Sequence, residues 1–301
     1  VLESKEWNLT ARTDGTVVES TDARELLRQI ADQVHHRTTV YRQWGFGARM
    51  NRGMGIAALF AGESGTGKTM AAEIIASDLG LELYKVDLAS MVSKYIGETE
   101  KNLEAIFNEA ERSNAILFFD EADAVFGKRS GIRDAHDRYA NIGVSYLLQR
   151  MESHEGITIL ATNLRANLDE AFTRRLQFVV DFPFPEAGER LRIWRALLPP
   201  NLPLAPDVDL EQLAQRYKLA GGSIRNIIVS AAFMAAEQGS VVTMELLLEG
   251  TRREFQKMGR LPSDAESRPA SSTTSLPPTP PAAPLPTTPR KTTMPHGNVR
   301  R

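Results

Sequence analysis

Two short stretches of the chain hold residue types whose order suits phosphate chemistry. The first is GESGTGKT, Gly62 to Thr69, which fits the pattern G-x-x-x-x-G-K-[ST]. Its glycines let the backbone wrap so that N–H groups face phosphate oxygens. Lys68 is then placed to reach the terminal phosphates and Thr69 to ligate Mg²⁺. A strand-like run, AALFA, precedes the loop, and a helical pattern, MAAEIIASDL, follows it. The start of that helix adds the positive end of its dipole to the site. The expected nucleotide contacts are Gly62, Glu63, Ser64, Gly65, Thr66, Gly67, Lys68, Thr69 and Met70. The second stretch is ILFFDEAD, in which four apolar residues lead into Asp120 and Glu121. A buried strand ending this way delivers two carboxylates to the mouth of a sheet, beside the phosphate loop. Asp120 is expected to hold Mg²⁺ through water, and Glu121 to orient and deprotonate the attacking water. Taken alone, Asp120, Glu121 or Asp123 serves equally well as a cap on the next helix. The phosphate loop upstream favours hydrolysis.

Further groups extend this set. ITILATN ends in Asn163, whose neutral amide is placed to orient the same water. LDEAFTRRLQF supplies Arg174 and Arg175. A cation on the γ-phosphate stabilises spread negative charge, an effect worth about 10³-fold or more in rate. Adjacent arginines on a short helix also make plain surface salt bridges. GGSIRN places Arg225 at a helix start, where it would bring positive charge onto the nucleotide as two domains close. His35 and His36 are neighbours and point different ways on a helix, which argues against a shared metal site. Asp134, His136 and Asp137 read as a polar loop, and Trp44 and Phe46 as adenine-pocket or linker residues.

These groups need a scaffold that gathers them. Between about residues 57 and 183 the runs AALFAG, LYKVDL, ILFFDEAD, ITILATN and FVVDFP alternate with helical patterns. In EKNLEAIFNEAERSN, Leu103, Ile106, Phe107 and Ala110 recur at helical spacing. Strands buried on both faces and separated by helices mean an α/β fold: a P-loop NTPase parallel sheet sandwiched by helices. From Glu186 the strands stop, and GERLRIWRALL, DLEQLAQRY, GSIRNIIVSAAFMAAEQG and TMELLLEGTRREFQKMG read as amphipathic helices, several preceded by Gly, Asp or Ser at cap positions. The expected division is a flank over 1–21, a large α/β domain over 22–185, a small all-helical lid domain over 186–260, and a disordered Pro/Thr-rich tail over 261–301.

Composition narrows the function classes. A net charge of −2 gives the chain no overall pull toward nucleic acid or an anionic membrane. With no cysteine there are no disulfides or thiolate metal sites. The longest apolar run, GIAALFAG, is too short for a membrane helix. VLESKEW lacks a signal-peptide pattern and an initiator Met, so the expectation is a cytoplasmic protein and a piece of a longer one.

Together, GESGTGKT, ILFFDEAD, the Asn of ILATN, LDEAFTRRLQF and GGSIRN resemble an AAA+ ATPase of the AAA subgroup of protein remodellers. With WGFG, SKYIGETEKN, FFDEADAVFGKRS, DRYANI and ATNLRANLDEAF, the chain over roughly residues 22 to 260 is similar to bacterial AAA ATPases often associated with contractile injection systems. The resemblance implies ATP and Mg²⁺ at the interfaces of a homo-oligomeric ring, a hexamer in this family, with Arg174 and Arg175 reaching a neighbour's site. It also implies that Lys94, Tyr95, Ile96 and Gly97 line a central pore and grip a protein substrate, since an aromatic ring stacks on any side chain. The finger segment departs from the family's R-P-G-R-F-D-R, reading T-R-R-L-Q-F, so either arginine remains a candidate. Two other functions stay open: a clamp-loader or helicase acting on nucleic acid, and a small-molecule kinase. Against the first, KYIGETE offers one lysine and two glutamates; the second leaves TRR unexplained.

Overall fold

The computed structural model describes residues 21–49, 54–88, 98–123, 135–163 and 174–259. The five apolar runs form β1 (Ile56–Gly62), β2 (Leu83–Asp87), β3 (Ile116–Asp120), β4 (Ile157–Thr162) and β5 (Phe178–Phe182). They pair in parallel in the order β2-β3-β4-β1-β5. Among the described residues four helices flank the sheet: α1 (Thr21–Arg37), α2 (Lys68–Leu79), α3 (Glu98–Ser113) and α4 (Ala135–Ser153). His136 and Asp137 thus belong to the first turn of α4, not to a polar loop.

Successive side chains of a strand point to opposite faces, and here each face is covered. Ala58 and Phe60 of β1 pack with Leu27 and Ile30 of α1 and with Ala72 and Ile75 of α2. Ala57 and Leu59 face the other way, into Leu103 and Phe107 of α3 and Leu147 and Met151 of α4. β4 is therefore buried at every position and β1 at every position but Gly62, while edge strand β2 stays half-exposed. The double covering leaves the polar groups at the strand ends to gather at the sheet's rims, and Asp120 and Asn163 stand at the carboxyl rim.

Beyond β5 come α5 (Ala187–Leu197), α6 (Leu210–Arg216), α7 (Gly221–Glu237) and α8 (Met244–Lys257). They share their own core around Trp194, Leu213, Ile224, Ile227, Leu247 and Phe255. Buried Arg190 ties α5 to α6, donating through Nε to the Ala214 carbonyl at 2.8 Å and through a terminal nitrogen to Pro185 at 2.6 Å. Burial lowers its pKa from the ordinary arginine value.

The caps agree with expectation in part. Glu186 and Glu189 form a reciprocal capping box on α5, and Thr243 accepts from Leu246 N–H on α8. Asp209 caps α6 as expected, whereas α7 begins at Gly221 without a side-chain cap. Its N-terminus meets the phosphate loop instead: Gly222 N–H donates to Gly65 O at 3.1 Å. Among the described residues no helix is long and apolar enough to cross a membrane. The tail expected over 261–301 lies outside the described residues.

Candidate active site

Where β1 ends, the chain turns through Gly65 at φ +80° and Gly67 at φ +103° before entering α2. Both lie in the left-handed region that a side chain disfavours, so the turn needs glycine. No side chain caps α2. Its first N–H groups head a cavity of about 330 Å³ lined by Ser64, Gly65, Gly67, Lys68, Thr69, Met70, Glu73, Asp120, Glu121, Asn163, Gly221, Gly222 and Arg225. Space at the glycines is already spent: a Cβ on Gly62 would collide with the Phe182 carbonyl, and one on Gly65 would lie 3.3 Å from Ala220 Cβ.

Lys68 is 7% exposed, and its ammonium donates to Gly62 O at 2.7 Å, Glu63 O at 3.0 Å and Asn163 Oδ1 at 2.9 Å. Three donors and three acceptors hold the charge at the cavity wall. Burial pulls its pKa below the ordinary lysine value, while the Asp120 and Asp123 carboxylates pull it back up. The loop's two ends, Asn163 and the lysine are thereby joined.

The carboxylates stand opposite. Asp120 closes β3, its Oδ2 lying 3.4 Å from Lys85 Nζ on the neighbouring strand β2. Glu121 follows at φ +55°, and its N–H donates to Asp120 Oδ1 at 3.0 Å. Ala122 N–H then donates to Ala161 O at 2.8 Å, and Asp123 Oδ1 accepts from Thr162 Oγ1 and from Asn163 N–H, each at 3.1 Å. Asn163 thus sits between Asp123 on its backbone side and Lys68 on its side chain.

The structure brings together Ser64, Gly65, Gly67, Lys68, Thr69, Met70, Asp120, Glu121, Asn163 and Arg225 in one cavity wall. Gly62 and Glu63 contribute carbonyls to Lys68, and Thr66 turns its hydroxyl onto Glu63 O at 2.8 Å. Those three stand behind the cavity rather than on it. Arg174 and Arg175 do not line it; both are exposed in a turn leading into β5, and not on a helix. Arg175 Nε lies 2.6 Å from Glu152 Oε1 of α4. Trp44 and Phe46, 68% and 52% exposed, lie away from the cavity lining. Lys94, Tyr95, Ile96 and Gly97 fall outside the described residues.

Sequence reasoning passed over Glu73, Lys85, Gly221 and Gly222, and saw Asp123 only as a possible cap. Glu73 had a signal, standing four residues beyond Thr69 on one helix face. Lys85 and the glycine pair had none, since their neighbours are remote in the chain. Among the described residues no three His, Asp or Glu are gathered as a metal site.

The comparison with protein families matches residues 58–184 to the ATPase family associated with various cellular activities (AAA). The match runs from within β1 to just past β5 and contains every cavity residue except those of α7. Residues 58–184 form an AAA-family ATPase domain. Three relatives extend the likeness. The chain is 35% identical over 200 residues to the ATP-dependent zinc metalloprotease FtsH 3 of Sphaerobacter thermophilus, covering 64% of this chain and 40% of that one. It is 34% identical over 189 residues to the katanin p60 ATPase-containing subunit A1 of Strongylocentrotus purpuratus, covering 59% and 36%. It is 31% identical over 204 residues to the proteasome-activating nucleotidase of Aeropyrum pernix, covering 65% and 50%. The chain thus spans half or less of the length of these relatives.

Proposed function

We propose that this chain is a Mg²⁺-dependent ATPase that assembles as a homo-oligomeric ring and remodels, unfolds or disassembles protein substrates through the ring's pore. The observation that carries this is the meeting, in one cavity, of a glycine loop with its buried lysine, two strand-end carboxylates, an amide and an arginine from the helical segment. A triphosphate suits that wall: glycines at positive φ leave only main chain at its surface, and the uncapped start of α2 favours negative charge. Thr69 and Asp120 are the side chains that would hold Mg²⁺, which when bound offsets charge on the phosphate oxygens. Glu121 takes the proton of the attacking water, Asn163 orients that water, and Lys68 and Arg225 supply positive charge.

In this scheme residues 22–185 are the large domain and 186–260 a lid whose α7 rests on the phosphate loop. Arg174 and Arg175 act on the neighbouring subunit; their place outside their own chain's cavity supports that assignment. Lys94, Tyr95, Ile96 and Gly97 grip the substrate, and a hexamer is the stoichiometry. Two of the three relatives are named for a metalloprotease and for the proteasome, which supports a protein substrate over nucleic acid. The finer assignment, to a cytoplasmic partner of contractile injection systems, rests on the run WGFG, SKYIGETEKN, FFDEADAVFGKRS, DRYANI and ATNLRANLDEAF.

The test is ATP turnover by Glu121→Gln. It should retain ATP binding in a filter or fluorescence assay while kcat falls by about 10²-fold or more. Normal turnover would remove Glu121 from the chemistry. Specific activity of the unaltered chain should rise with protein concentration as rings form, and a flat profile down to monomers would remove the ring.

A further inference from the structure

We infer that Asp123 is a positioning residue: its carboxylate staples the segment after β3 to the end of β4, and so sets Glu121 and Asn163 against one another. The inference rests on the proposed roles of those two residues and adds a third that acts only through them.

The geometry is specific. One oxygen, Asp123 Oδ1, accepts both the Thr162 hydroxyl and the Asn163 backbone N–H at 3.1 Å. Thr162 is 1% exposed, so its hydroxyl has no water to fall back on. The adjoining Ala122 N–H is bonded to Ala161 O at 2.8 Å. Two consecutive residues after Glu121 are therefore tied to three consecutive residues at the end of β4. β3 and β4 are paired neighbours, and the staple continues their pairing past the last strand residue.

Glu121 needs such a hold. It and Asn114 are the side-chain-bearing residues at positive φ among those described. A left-handed backbone at a glutamate is disfavoured and persists only where the surroundings over-determine it. On one side its N–H is fixed to Asp120 Oδ1; on the other, Ala122 and Asp123 are pinned to β4. Release of Asp123 frees one flank of this constraint, and Glu121 relaxes toward ordinary φ with its carboxylate displaced. The same release loosens Asn163, whose backbone N–H loses its acceptor and whose Oδ1 holds Lys68. Asp123 itself is not among the residues lining the cavity. Its contribution is indirect.

The experiment compares Asp123→Ala, Asp123→Asn, Thr162→Val and Asn163→Ala in the full chain, measuring kcat, KM for ATP and ADP affinity. Asn keeps an acceptor oxygen at the same place, so Asp123→Asn should stay within about threefold of the unaltered kcat. Asp123→Ala should lose about tenfold or more in kcat, with a smaller change in ADP affinity, because no residue lining the cavity is itself removed. Thr162→Val removes one of the two donors and should fall between them. Full kcat in Asp123→Ala alongside a crippled Asn163→Ala would overturn the staple and leave the proposed function standing. Full kcat in Asn163→Ala would instead remove the role of Asn163, whatever Asp123 does. Should Asp123→Ala fail to fold, Thr162→Val decides: unaltered kcat there overturns the inference, and a partial loss supports it.

Discussion

At the amino end of the sheet lies a cavity of about 710 Å³, lined by α1, the π-helical turn Thr38–Gln43 and the starts of β1 and β4. At the carboxyl end the cavity is about 330 Å³, less than half as large, yet it gathers Lys68, Asp120, Glu121, Asn163 and Arg225. The large cavity has polar residues too, including Asp32, His35, His36 and Glu155. They do not converge, and Arg37 is already paired with Glu155 at 3.5 Å. The cause is strand polarity. In a parallel sheet every strand delivers its last residue, and every following helix its positive end, to the same rim. The opposite rim receives helix C-termini and strand starts. Volume is a poor guide to function here; direction of the chain is a better one.

Four measurements can break or sharpen that contrast. The largest effect is expected from Lys68→Ala, with kcat/KM for ATP falling by about 10²-fold or more as the charge at the cavity wall is lost. Retained kcat/KM would mean the small cavity is not the site. Next, Gly222→Val should disturb the α7–loop contact, because even a Cβ on Gly222 would lie 3.3 Å from Gly65 Cα. ATP affinity should drop by about tenfold, since a small misplacement of groups at the phosphates is costly. Unchanged affinity would show that α7 rests on the loop without shaping it.

A smaller effect concerns stability on the α3–α4 face of the sheet. His154 is 2% exposed, its Nδ1 3.2 Å from Glu111 Oε1. Burial lowers its pKa below the ordinary 6.5, with Glu111 opposing and Arg150 and Arg37 adding to the fall. The folded chain therefore keeps His154 neutral while the unfolded chain protonates it first. Stability is full above about pH 6.5 and declines as pH drops through the lowered value. Thermal melts across pH 7 to 5 should show that slope, and His154→Gln should flatten it. The smallest effect is expected at the large cavity: His35→Ala, an exposed lining residue, should leave ATP turnover within about twofold. A deep loss there would give the amino end a part in catalysis and undo the contrast.

How far the sequence could be read depended on the distance between partners. All five strands were legible because a run such as ILFF or ITILA, buried on both faces, has few other uses in a chain of this composition. The phosphate loop was legible because its working parts are eight consecutive residues framed by a strand and a helix. The caps at α5 and α8 come from Glu186 and Thr243, residue types outside the Gly, Asp and Ser expected at several helix starts. At α7 no side chain caps the helix, and Gly65, more than 150 residues earlier, meets that helix start. The arginine turn before β5 was recognised as charge but not as geometry, and its tie to Glu152 could not be foreseen.

By itself the amino-acid order settled which elements form and which side chains carry charge at their ends, because both follow from local periodicity and adjacency. Tertiary structure alone decided that Lys68 meets Asn163, that Asp123 meets Thr162, and that Gly222 sits on Gly65. Each of these contacts joins residues far apart along the chain. Only the burial of both sheet faces, acting on the whole molecule at once, could bring them within hydrogen-bonding reach.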